Sequence, residues 1–133
     1  MALQGFRELR VWQAGMDLVV GVYELTRTLP KSEVYGLSSQ LQRAAVSVPA
    51  NIAEGHARGH LKEYLQFLTI ARASLAEVAT YLELIERLSY ARLDQIQPLL
   101  DLTASLNRQL LALRDSLSTR LQEDPFPYDP ISP

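Results

Sequence analysis

A chain of 133 residues with a net charge of −2 and a pI near 5.7 is long enough for one core and too neutral to bind nucleic acid by overall charge. The absence of cysteine excludes disulfide frameworks, thiolate catalysis and cysteine-based zinc sites together. The opening MALQGFRELR lacks the apolar run of a signal peptide, and no uncharged stretch approaches the roughly 18 apolar residues of a membrane span. The expectation is a soluble, unprocessed, cytoplasmic protein with no membrane partner.

Residues 1–8 read as an irregular lead-in, with Phe6 and Leu9 placed to pack across one end. From Leu9 to about Thr28, Trp12, Met16, Val19 or Val20 and Tyr23 recur at helical spacing, as do Leu18, Val22, Leu25 and Leu29. Pro30 stops this helix, because the residue before a proline is driven out of the helical region. Ser32 or Ser38 is placed to cap the second helix, with Tyr35, Gly36 and Leu37 as a short turn leading in.

The second helix carries the most unusual pattern, RAAVSVPANIAEGHARG from Arg43 to Gly59. Arg43, Ser47, Asn51, Glu54 and Arg58 fall on one polar stripe roughly 80° wide. Leu37, Leu41, Ala44, Ala45, Val48, Ile52 and Gly55 form an apolar stripe, and Val46, Pro49 and Ala53 a second one, so the apolar arc spans roughly 200° against about 100° for an ordinary surface helix. Such a helix needs cover on more than one side, and the stripe of Val46, Pro49 and Ala53 is the predicted oligomer interface. Pro49 cannot donate to the carbonyl of Ala45 and its ring crowds it, at about 3 kcal/mol in a helix interior. A continuous helix bent near Ala45 to Pro49 is therefore expected over one that stops and restarts.

Gly59 is placed to end this helix. His60 and Glu63 then have capping-box spacing, with histidine where serine or threonine would cap better. The third helix runs from about Leu61 to Ser89 along Leu61, Leu65, Leu68, Ala71, Leu75, Val78, Leu82 and Ile85, flanked by Phe67, Ile70 and Tyr81. The fourth, from about Asp94 to Leu121, repeats Leu99, Thr103, Leu106, Leu110, Leu113 and Leu117 at heptad spacing. Asp94 and Gln97 form a candidate capping box, and Pro98 lies near the first turn, where a missing donor costs least. Short connections predict an all-α, antiparallel up-down-up-down four-helix bundle over residues 9–121. Residues 122–133 hold three acids, no base and four prolines, which predicts an extended or disordered tail with Phe126, Tyr128 and Ile131 available to dock.

The run RAAVSVPANIAEG, with FRELRVWQ before it, YGLSSQLQ upstream and EYLQFLTIARASLAE after it, resembles the four-helix-bundle family encoded in intervening sequences of bacterial 23S ribosomal RNA genes. The resemblance covers roughly Phe6 to Leu121 and departs from the family's serine at His60. It implies a small up-and-down bundle assembling into a homo-oligomer, a pentamer. It also implies kinship with the accessory proteins of diversity-generating retroelements, which bind RNA and a reverse transcriptase.

Catalytic chemistry finds no footing in the residues. His56 and His60 are four apart, but Gly59 breaks the helix between them, and no Glu-x-x-His exists for a carboxylate-bridged metal pair. Ser47, Glu54 and His56 share one helix and cannot converge as a triad. No arginine has a histidine four to six residues on, as a four-helix ribonuclease of the toxin type requires. No enzyme activity, metal, cofactor or small-molecule substrate is expected. The nucleic-acid-binding candidates are Arg7, Arg10, Arg43, His56, Arg58, His60 and Lys62, since phosphate affinity needs several such charges together and a ring of subunits multiplies a weak patch. Against this, Arg43 and Arg58 can pair with Glu54 on their own stripe. Ser47, Asn51 and Glu54 are read as a polar network that fixes helix two and sets the oligomer, with a channel-lining role as the alternative. The expected function is a non-enzymatic oligomeric adaptor for RNA or a ribonucleoprotein partner such as a reverse-transcriptase-like protein. The alternative is a structural interaction module without nucleic acid.

Overall fold

The computed structural model describes residues 5–123. They form four helices, α1 (Arg10–Thr26), α2 (Leu37–Ala57), α3 (Leu61–Arg87) and α4 (Leu93–Glu123), with single 3-10 turns at Phe6–Glu8 and Lys31–Glu33. No strand occurs among the described residues. Residues 122–133, read from the sequence as a tail, fall outside them except for Gln122 and Glu123, which belong to the last turns of α4.

Each helix packs against two others: α1 against α2 and α4, and α3 against the same two, so the four close around one core. Side-chain contacts set the alignment. Along α2 and α3, Gln40 meets Tyr81, Ser47 meets Ser74, and Gly55 meets Phe67. Between α3 and α4, Arg72 meets Asn107. Between α1 and α2, Gly15 meets Pro49 and Thr26 meets Gln42. The core holds Leu18, Leu41, Ile52, Leu68, Leu75, Leu82, Ile85, Ile96, Leu106 and Leu110, all fully buried, each stabilising by about 1.5–3 kcal/mol relative to exposure. The heptad leucines of α4 supply much of this, although Leu113 is only partly buried.

Several helix ends differ from the sequence expectation, each for a local reason. Neither Ser32 nor Ser38 caps α2. Glu33, brought round by the 3-10 turn, accepts the Leu37 N–H at 3.0 Å through Oε1, and its Oε2 accepts the Tyr90 hydroxyl at 2.9 Å. One carboxylate therefore caps α2 and ties its start to the turn after α3. Ser38 is buried instead. Asp94 and Gln97 form no capping box on α4: Gln95 Oε1 accepts the Arg92 N–H at 3.1 Å, one half of such a box, while Asp94 pairs with Arg92. Starting α4 at Leu93 places Pro98 in the second turn. The end of α3 is a Schellman motif, with Tyr90 N–H on Ile85 O at 3.0 Å and Ser89 N–H on Glu86 O at 2.9 Å. Ser89 takes the left-handed position, φ 59°. Gly59 does the same after α2, φ 76°. α2 itself runs unbroken through Pro49.

Candidate nucleic-acid interface

The sequence-predicted basic residues do not all meet. The turn from α2 to α3 brings Arg58, His60 and Lys62 together, since α2 ends at Ala57 and α3 begins at Leu61. The N-terminal turn reaches the same end of the fold: a Cβ on Gly5 would lie 3.2 Å from His56 Cε1. This brings Arg7, exposed and with its guanidinium 5.1 Å from the Phe6 ring centroid, and exposed Arg10 to that end. Arg43 is separate, about 22 Å along α2 from Arg58 at 1.5 Å per residue.

Arg58 is the most constrained of the group. Its guanidinium pairs with Glu54 at 3.1 Å and Glu63 at 3.5 Å, and lies 5.2 Å from the Phe67 ring centroid. Glu63 is therefore turned to Arg58 rather than back to a capping box, and His60 makes no side-chain cap. Two carboxylates offset the charge of Arg58, although all three side chains are about half exposed and such pairs contribute little to stability. His60, Lys62, Arg7 and Arg10 are exposed, and no ion pair to a described carboxylate holds them.

His56 departs from the expected role. Its Nδ1 is buried with no hydrogen-bond partner, and the ring packs edge-on against Tyr64 at 5.7 Å. Burial pulls its pKa below the usual 6.5, so the ring is neutral at pH 7 and supplies no charge to a phosphate. The Tyr64 hydroxyl is likewise buried and unpartnered, and burial pushes its pKa up to about 12. The sequence placed His56 only by helical angle; the N-terminal turn that covers it arrives from outside α2.

The polar stripe of α2 divides in two. Asn51 Nδ2 donates to Ser47 O at 2.7 Å and Ser47 Oγ at 2.8 Å, and Ser47 Oγ shares a 2.8 Å bond with Ser74 Oγ. Glu54 takes no part and pairs outward with Arg58. Ser74, buried on α3, completes the network. Its sequence signal was a lone serine among the apolar residues facing α2. The expected interface stripe also divides: Pro49 is buried against Gly15 of α1, Val46 is 42% exposed, and Ala53 is half-buried. α1 and α3 thus cover much of the wide apolar arc within one chain. What the sequence missed is that Leu113 of α4 lines a groove with Arg10 of α1. Nothing short of the α1–α4 alignment could have placed it there.

Among the described residues, no three His, Cys, Asp or Glu side chains gather to hold a metal ion, and no helix is long and apolar enough to cross a membrane. Four helices around one core, with exposed cations at one end and no metal-ligating cluster among the described residues, define a small all-α protein. A family model described as 23S rRNA-intervening sequence protein matches residues 7–112. The chain belongs to that family.

A crystal structure from Bacteroides thetaiotaomicron, of a protein with unknown function from the S23 ribosomal protein family, has the same fold at TM-score 0.73. It is 23% identical, over 78% of this chain and 97% of that one. No curated protein matches.

Proposed function

We propose that the chain is a non-enzymatic, oligomeric helical-bundle adaptor that recruits RNA or a ribonucleoprotein partner, such as a reverse-transcriptase-like protein, in the cytoplasm. The observation that carries this reading is the gathering of Arg7, Arg10, His60 and Lys62 at one end without carboxylate partners among the described residues. Family membership adds the association with ribosomal RNA genes. Supporting an antiparallel up-down-up-down bundle, Gln40, Ser47 and Gly55 of α2 meet partners progressively earlier in α3. A bend in α2 is supported by the donor that Pro49 lacks. Self-association, as the pentamer that resemblance implies, is supported by apolar side chains left exposed on α1 and α2, Met16, Val20, Tyr23 and Val46.

Light scattering at micromolar concentration is expected to give several times the 14.9 kDa chain mass; folded single chains overturn the assembly. Retention of RNA is expected to fall steeply with salt, and Arg10→Ala with Lys62→Ala to lower the logarithmic salt slope by about one per lost phosphate contact. A structural module without nucleic acid is favoured by the offset charge of Arg58. Retention of no RNA at low salt selects it.

A further inference from the structure

Between α3 and α4 runs an open groove of about 450 Å³. Its floor is Leu75, Ala76, Ala79, Leu100 and Ala104, where three alanines leave a trough between two helices that otherwise interdigitate. At one end, Arg72 Nε donates to Asn107 Oδ1 at 3.1 Å. That bond holds the guanidinium in place while leaving its terminal nitrogens and the Asn107 amide as donors for a carboxylate. No described carboxylate pairs with Arg72. The groove therefore presents an apolar trough with a preorganised acid receptor, Arg72 and Asn107, at one end and the carboxylate of Glu83 at the other.

The chain contains a segment of matching chemistry. Asp124-Pro-Phe-Pro-Tyr-Asp-Pro-Ile-Ser-Pro has two carboxylates, no cation and two aromatic rings spaced by proline. A proline-rich peptide laid out in the polyproline form spans about 3.1 Å per residue. From Arg72 to Glu83, the length of the groove on α3 is about 16 Å, which is about five residues in that form: Phe126 to Pro130.

Length decides whose segment it is. Asn107 lies about 24 Å back along α4 from Glu123, whereas Phe126 and Tyr128 reach at most about 10 and 17 Å beyond Glu123. Neither ring can enter the middle of its own chain's groove. We infer that the α3–α4 groove receives residues 126–130 of a second copy, with Asp129 on Arg72 and Asn107 and the Phe126 and Tyr128 rings over the alanine trough. This contact is independent of the exposed residues of α1 and α2 and of any RNA.

The absence of cysteine makes the test clean. Full-length Ala104→Cys and Tyr128→Cys proteins are mixed and oxidised with copper phenanthroline, and the heterodimer is counted by mass spectrometry. The expected result is cross-linking about tenfold faster than between Tyr128→Cys and Glu77→Cys, an exposed position on the far side of α3, because docking raises the local thiol concentration. Adding Arg72→Ala to the Ala104→Cys protein should remove most of that excess. Equal rates at Ala104 and Glu77, which would assign the groove to another occupant, overturn the inference. So does an Ala104→Cys, Tyr128→Cys double variant that closes only within one chain.

Discussion

Gly55 and Gly21 would each place a new Cβ 2.6 Å from a neighbour, yet alanine should be costly at the first and nearly neutral at the second. At Gly55 the neighbour is Phe67 Cβ, with Tyr64 Cδ1 at 3.2 Å. Phe67 Cβ is fixed to the α3 backbone, so relief requires α2 and α3 to separate by about 1 Å to reach the usual 3.5–4.0 Å. Such overpacking costs about 3 kcal/mol, the upper end of its range, and the gain in helix propensity from glycine to alanine returns about 1 kcal/mol. Gly55→Ala should therefore destabilise by about 2 kcal/mol, or about 6–10 °C in a chain of this length. At Gly21 the neighbour is Leu99 Cδ2, a terminal methyl, and the next atom is 3.8 Å away. A rotation of Leu99 absorbs the clash, and the propensity gain leaves Gly21→Ala within about 1 kcal/mol of wild type. Urea unfolding at one fixed protein concentration measures both through the midpoint, with unchanged slope. Equal midpoints for the two variants, or Gly55→Ala at least as stable as wild type, would refute close helix approach at Gly55.

Ser89 holds a left-handed backbone that glycine adopts freely, so Ser89→Gly should stabilise by about 0.5–1 kcal/mol in the same urea assay. Glu33→Ala removes both the α2 cap and the Tyr90 tether and should cost about 1–2 kcal/mol by thermal unfolding, with Ser38→Ala failing to reproduce the loss of the cap. His56 has a folded pKa below its unfolded 6.5, so the unfolded chain takes up the proton first as pH falls. Its contribution is complete above pH 6.5 and declines as pH drops through 6.5 toward the folded pKa. His56→Phe keeps the ring contact with Tyr64, and unfolding at pH 7.5 and pH 5 should show a smaller acid loss than wild type; an unchanged loss refutes burial of the neutral ring.

Helical periodicity, proline and glycine positions and the absence of cysteine were sufficient to mark four helices and their connections, because each is a property of neighbours in the chain. Gly59 could be read as a stop, since only a left-handed residue continues the chain there. Pro49 was legible as a residue inside α2, but its burial on Gly15 was not, because the helix it touches lies over thirty residues earlier. The same holds for His56: spacing put it among cations, and a turn from the N-terminal segment made it a half-buried neutral ring. Glu33 replaced two nearer serines as the α2 cap because a 3-10 turn shortened its path. Ser74 joined Ser47 and Asn51, and Leu113 came to line a groove with Arg10, through the alignment of whole helices. Periodicity within a segment fixes which side of a helix is apolar; which residues of distant segments meet, and therefore which charges remain free at the candidate interface, is decided only when the helices pack.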